Sequence, residues 1–501
     1  MPEVEVIYVT FRKEDDRFTG HAIMLERPTP ETFANWGTTE ANGSEADGTD
    51  ATEAAPDDRS SLFQEAISSF ASMMTTYRNM IPFTIELSPL VSGAMANNEI
   101  GGFVKKLGSK VEEFESEEFS VFEVSAGHLG TLFQKHQASI AALNGAEHLP
   151  EISVIGLISV YDAYLARLLK AVFLTKEEII FTSERDIKYS DLLKFDSLEE
   201  AKTQIIEKEV ETAIRNSHHE QFSFMEKRFS IKLREGLTIW PDFIELCERR
   251  NLLTHTGGVV SQQYLKNCAE HGYKSSAKVG DKLVTDAVYL KAAVKTVSEL
   301  GLKLGHVLWR KFVEAERSAA DSDLNQRGMD MIIARDYVLA EQLLEFGAHG
   351  VKKHSSDATR RMMIVNLANA VRLGGDAPRA KSILNKEDWS ATGINFQICV
   401  AAVREDVDLV CSLMRDGGKA GALTAESYRD WPVFRGMRQN QKFRDSYKDV
   451  FGQELLAGST LETAAQGGTL VDGAAGSGMN IVRRPKLKIV EVDGKSAPPN
   501  H

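Results

Sequence analysis

EISVIGLISVYDAYLARLLKAVF occupies residues 151–173. Ile152, Ile155, Ile158, Tyr161, Leu165, Leu168, Leu169, Val172 and Phe173 recur at helical intervals over a run too long for a strand, so the spacing predicts one long, strongly apolar helix. Asp162 and Arg167 interrupt it, either as partners of other groups or on its wet side. A helix so apolar needs cover, and the following segments provide it. Ser197 to Arg215 is amphipathic, with Glu199 and Glu200 in its first turn, where acids favour a helix. Phe222 to Gly236 adds shorter helical material. Trp240-Pro241 opens a helix with proline early in its first turn, and Gly257-Gly258 stops it. Val259 to Cys268 and Tyr289 to Glu316 read as further helix, the second with Leu290, Val294, Val297, Leu300, Leu304, Val307, Leu308 and Phe312 on a recurrent face. The spacing therefore predicts a bundle of four or five helices over residues 150–317.

On the N-terminal side, residues 1–145 read as a small α+β domain. Val4 to Phe11 is rich in β-formers, and Gly20 to Leu25 is a second strand able to pair with it. From about 28 to 61 there is almost nothing to bury. That stretch holds eight acids against Arg59, a charge of −7, and is expected to be a disordered acidic insert. Residues 62–80 are helical up to Pro82, Phe83 to Leu87 reads as a strand or extended entry, Val121 to Val124 as a short strand and His128 to Leu143 as a helix.

On the C-terminal side, residues 320–455 change to short helices in pairs. Ala340 to Leu344 and Ala380 to Leu384 stand forty residues apart, each after a longer helix at 324–336 and 358–373, with a third pair from Phe396 to Met414. That period predicts a short solenoid in the manner of tetratricopeptide repeats, capped by aromatics around Trp431 and Phe443 to Phe451. Residues 456–501 are glycine-rich and read as a flexible tail; Lys486 to Val492 is either an edge strand or disordered. The fold class expected is mainly α.

The totals narrow the function. With 501 residues, 43% hydrophobic and 26% charged, the chain reads as a soluble protein of several domains. No run approaches a membrane span, and Met1 to Glu5 lacks the plan of a signal peptide, so a cytoplasmic location is expected. Cys247, Cys268, Cys399 and Cys411 have neither disulfide nor zinc spacing. The formal charge of −13 excludes broad polyanion binding, and leaves room for a local basic cleft.

Chemistry concentrates in Glu248-Arg249-Arg250-Asn251-Leu252-Leu253-Thr254-His255, where a guanidinium, an amide and an imidazole stand within six residues. Arg250-Asn251-Leu252-Leu253-Thr254-His255 resembles the R-x4-6-H signature of HEPN domains, in which a polar residue commonly follows the arginine. The resemblance covers about 170 residues. It implies metal-independent, cofactor-free cleavage of RNA, transfer RNA among the candidates, at a composite site between two protomers. It also implies a place in bacterial anti-phage defence or a toxin-like stress response, with the helical repeats taking a protein partner or trigger. The catalytic residues so implied are Arg250, which stabilises charge on the phosphorane, His255 as general base or acid, and Asn251, which orients His255 or binds phosphate.

The helix geometry adds a condition. Arg250 and His255, five residues apart, stand about 140° apart around an ideal helix, whereas Asn251 and His255 share a face. A single helix is a poor compact site; two across a two-fold axis converge both pairs. Each residue also has a plainer reading. His255 can cap the helix C-terminus, Arg250 can pair with Glu245 or Glu248, Arg249 competes for the arginine role, and Thr254 can bond one turn back. His218-His219 with Glu220 reads as a solvated face. The competing function is a non-catalytic scaffold that binds RNA or protein.

Overall fold

The computed structural model describes residues 8–14, 17–24, 61–110, 122–181, 195–420 and 423–455. The acidic stretch from 28 to 60, the strand residues before Tyr8 and the tail from 456 lie outside them. The chain divides into two compact units, Met1–Pro56 and Asp57–His501.

The first unit contains the expected hairpin. β1 (Tyr8–Glu14) pairs antiparallel with β2 (Arg17–Met24), Tyr8 opposite Met24, with a register shift at Arg12/Lys13.

Among the described residues of the second unit the regular elements are helices, apart from two-residue strands, β3 (Ser109–Lys110) and β4 (Phe122–Glu123), and an isolated bridge between Val259 and Lys282. Its first helices are α1 (Ser61–Ile81) and α2 (Ser88–Leu107). Between them, Pro82–Leu87 is a π-helical turn and not the extended entry its alternating apolar residues suggest. Ile85 turns into the core while Phe83 and Leu87 are exposed.

α3 (Leu129–Thr175) is the organising element. It joins two stretches that read as separate helices, His128 to Leu143 and 151–173, across Pro150. Proline removes one i→i−4 bond, but the helix runs on through it. Val154, Leu157, Ile158, Tyr161, Leu165, Leu168 and Val172 are buried. An 18-residue window of this helix, of mean hydropathy 1.6, is long and apolar enough to cross a membrane, contrary to the expectation that none exists; half of that window is buried within the unit.

After the short α4 (Glu178–Phe181) come α5 (Leu198–Ile214), α6 (His218–Phe229), α7 (Trp240–Thr256), α8 (Gln262–Glu270) and α9 (Ala287–Phe312). Ser197 caps α5, its hydroxyl accepting the Glu200 N–H at 3.1 Å. α3 packs against α1, α5, α7 and α9, and α1 also lies on α9. The expected border at 145–150 thus falls inside α3. Phe63, Ile67 and Phe70 of α1 share one core with Tyr164 and Leu300, so the bundle draws a helix from the region assigned to a separate α+β domain.

The remaining helices come in pairs: α10 (Arg317–Ile333) with α11 (Tyr337–Glu345), α12 (Asp357–Leu373) with α13 (Ala377–Leu384), and α14 (Ile394–Arg404) with α15 (Val407–Ala420). The first helices stack in series, α10 on α12 and α12 on α14. Asp336, Ser356 and Asp376 cap α11, α12 and α13. α16 (Ala425–Asp430) and α17 (Gln441–Phe451) close this end, where Tyr428, Phe434 and Phe443 are buried together.

Candidate functional site

α7 carries the chemical stretch and divides it by face. Proline at its second position pre-sets the backbone, and Gly257 (φ 60°) and Gly258 (φ 83°) end it in the left-handed region that a side chain resists.

One face is structural. Glu245 is buried and accepts three hydrogen bonds: from Arg249 Nε at 2.8 Å, the Tyr264 hydroxyl at 2.8 Å and the Tyr289 hydroxyl at 2.7 Å. Arg249 also donates to the Val284 carbonyl at 2.8 Å, and its guanidinium lies 3.9 Å from the centre of the Tyr289 ring. These contacts tie α7 to α8 and α9, so Arg249 is committed to the fold and does not compete with Arg250. Burial first, then the Glu245 charge, pushes the Tyr264 hydroxyl well above the usual phenol range.

The neighbouring face opens onto a polar cavity of about 330 Å³, lined by Glu248, Arg250 and Asn251 of α7, Asp162 of α3, the start of α6, and Asn267 and His271 at the end of α8. Asp162 is the hinge of the arrangement. Its Oδ1 lies 2.9 Å from His218 Nε2, and its Oδ2 accepts from Arg250 Nη2 at 3.3 Å. Arg250 therefore pairs with neither Glu245 nor Glu248. Its Nε is buried without a partner among the described residues.

His218 is buried, held edge-on against Phe243 with ring centres 5.6 Å apart, and does not belong to a solvated face. His219, at the cavity wall, accepts or shares a hydrogen bond with Ser217 Oγ at 2.9 Å and stands 4.9 Å, ring to ring, from His271. Burial, then His219 and Arg234, lowers the His271 imidazole. Burial raises the Glu248 carboxyl, against the opposing pull of Asn267 and the imidazoles. The cavity thus brings together two guanidiniums, three imidazoles, two carboxyls and four side-chain amides.

Arg250 and Asn251 meet at this cavity, but His255 does not join them. It is exposed in the last turn of α7, beyond Thr254, whose hydroxyl bonds back to the Arg250 carbonyl at 2.8 Å. The sequence leaves Asp162 open between a partner role and the wet side and places His218 on a solvated face; the two lie 56 residues apart and meet only through packing. The available signals were a lone acid in an apolar helix and a histidine directly after Ser217. Among the described residues no three His, Cys, Asp or Glu side chains are grouped to hold a metal ion.

Compared with protein-family models, curated proteins and solved structures, the chain matches none.

Proposed function

We propose that the chain is a metal-independent endoribonuclease of the HEPN type. The observation that carries this reading is the convergence of Arg250 and Asn251 with imidazoles at one polar cavity. Arg250 and Asn251 hold the scissile phosphate. The ribose 2′-oxygen attacks phosphorus in line, leaving a 2′,3′-cyclic phosphate and a 5′-hydroxyl, and the guanidinium stabilises charge on the phosphorane oxygens. DNA, without a 2′-hydroxyl, is not a substrate.

His255 reaches such a phosphate only from a second protomer. In the segments following α7, Val259, Val284 and Val288 are exposed, apolar side chains that a second copy would cover. Across a two-fold axis each chain lends its exposed His255 to the other chain's cavity. The stacked helix pairs from α10 to α15 give such a nuclease a surface for a protein partner or trigger, consistent with a role in stress or anti-phage defence.

The second reading, a scaffold without turnover, is favoured by the Arg250–Asp162 ion pair, which commits part of the guanidinium to the fold. Incubating purified protein with total RNA or transfer RNA in EDTA separates the two. Wild type cuts, and Arg250→Ala loses about 10²-fold or more while melting as wild type does. Growth arrest on overexpression, relieved by His255→Ala, is the corresponding result in cells. Intact RNA with every preparation, or cleavage by Arg250→Ala at the wild-type rate, leaves the scaffold.

A further inference from the structure

We propose that His218, positioned by Asp162, is the base that accepts the proton of the attacking hydroxyl. This rests on the RNA-cleaving reading and adds to it a group that the helical motif does not contain.

A carboxylate can only accept a hydrogen bond, so the 2.9 Å contact between Asp162 Oδ1 and His218 Nε2 places the imidazole proton on Nε2. The neutral ring then bares its lone pair at Nδ1, for which there is no partner among the described residues. The ring is held from three sides: the Asp162 carboxylate, the edge-on contact with Phe243, and Tyr161, whose ring centre is 6.1 Å away. His218 itself lines the cavity at the first position of α6, so the fixed ring presents its free edge where a ligand enters.

The same carboxylate carries Arg250 on its other oxygen, at 3.3 Å. One acid therefore sets the relative placement of the phosphate-holding cation and the base. After proton transfer its charge stabilises the imidazolium. The other charged or titratable groups that line the same cavity are Glu248 and Arg250 of α7, His219 of α6, Arg215 before it and His271 after α8.

The step balances as follows. The 2′-hydroxyl proton moves to His218 Nδ1 as the 2′-oxygen bonds to phosphorus. The bond from phosphorus to the 5′-oxygen breaks, and that oxygen leaves with the electron pair. It is protonated by the imidazolium of His255 lent by the second protomer. The cyclic phosphate and 5′-hydroxyl are the products.

The test is cleavage of an oligoribonucleotide by the full-length protein in EDTA, measured from about pH 5 to about pH 9, for wild type, His218→Gln, Asp162→Asn and Arg250→Ala. His218→Gln is expected to lose roughly 10²–10⁴-fold at every pH while retaining the wild-type melting temperature to within a few degrees. Asp162→Asn is expected to lower kcat about as far as His218→Gln with KM within a few-fold of wild type, because an amide can donate to Nε2 and so no longer fixes the proton there. A merely structural Asp162 lowers the melting temperature and raises KM instead. If Arg250→Ala is inactive while folded His218→Gln cuts within a few-fold of wild type, the base is elsewhere and the nuclease reading survives. If His218→Gln does not fold, a wild-type kcat in folded Asp162→Asn overturns the proposal. Wild-type protein that leaves RNA intact removes both.

Discussion

Two adjacent arginines show how one position on a helix separates structure from chemistry. Arg249 is buried, shares the Glu245 carboxylate with two tyrosines and stacks on one of them. Truncating it strands a buried acid, and breaking a buried pair in this way costs about 3–5 kcal/mol. Arg250 is a quarter exposed, and Asp162 keeps His218 as partner when it is removed. Ion pairs that water still reaches contribute about 0–1 kcal/mol. Urea melts are therefore expected to show Arg249→Ala strongly destabilised and Arg250→Ala nearly as stable as wild type. The opposite order would falsify the assignment of the first to the fold and the second to the site. The separation of Arg250 from His255 was legible beforehand, since angle along a helix follows from spacing alone. The grouping of Asp162 with His218 was not, because nothing local in either sequence neighbourhood specifies the other.

At the scale of elements, the tightest joint is where α9 crosses α1 and α3. Gly301 and Gly305 lie four apart on one face of α9, and a Cβ at either would run into Phe70 or into the Tyr164 hydroxyl and Ile67. Phe70 and Tyr164 stack with ring centres 4.1 Å apart, and the Tyr164 hydroxyl donates to the Gly301 carbonyl at 3.0 Å. The absence of side chains lets two aromatic rings occupy the space beside the α9 backbone. Alanine raises helix propensity by about 1 kcal/mol at such a site, whereas overpacking a filled core costs about 1–3 kcal/mol. Gly305→Ala is accordingly expected to lower stability by up to about 2 kcal/mol in denaturant melts, despite being the better helix former. A gain in stability would show that the rings yield without cost. The apolar face of α9 could be read from its leucines and valines, but the glycines on it carry no hydropathy signal. For the same reason the partnership of α1 with α3 and α9 could not be read, and the helix was assigned to a different domain. The continuity of α3 through Pro150 failed differently: proline weakens a helix locally, and the buried residues beyond it, Val154 and Leu157 first, outweigh the missing bond.

For the molecule as a whole, the bundle joins the helix pairs through a buried ionic junction. His306 of α9 has no exposed surface, and its Nε2 lies 3.3 Å from the Asp323 carboxylate of α10. Arg327 donates to Asp323 at 2.9 Å, Arg310 pairs with the buried Asp321, and Asp321 accepts the Ser355 N–H at 2.6 Å from the loop before α12. Burial lowers the His306 imidazole, more than the attraction of Asp323 raises it, with Arg310 and Arg327 adding to the lowering. Asp323 is held below the usual carboxylate range by His306 and Arg327 against its own burial. These two directions act in separate pH windows. As pH falls through about 6.5, the unfolded chain takes up a proton at His306 that the folded chain resists, so stability falls with pH by at most about 1.4 kcal/mol per unit. Asp323 contributes throughout that range, and its contribution is lost only below about pH 4, where the unfolded carboxyl protonates. His306→Gln removes the first effect and leaves Asp323 to Arg327 alone, which weakens the second without moving it above about pH 4. Urea midpoints measured from about pH 7.5 to about pH 4.5 should therefore fall more steeply for wild type than for His306→Gln, with the two curves parallel above about pH 7. Parallel curves throughout would mean that the imidazole takes up its proton equally in both states and that the junction is indifferent to pH. A steeper fall in wild type makes the packing of the helix pairs onto the bundle weaken in mild acid, through one imidazole that has no room to be solvated when charged.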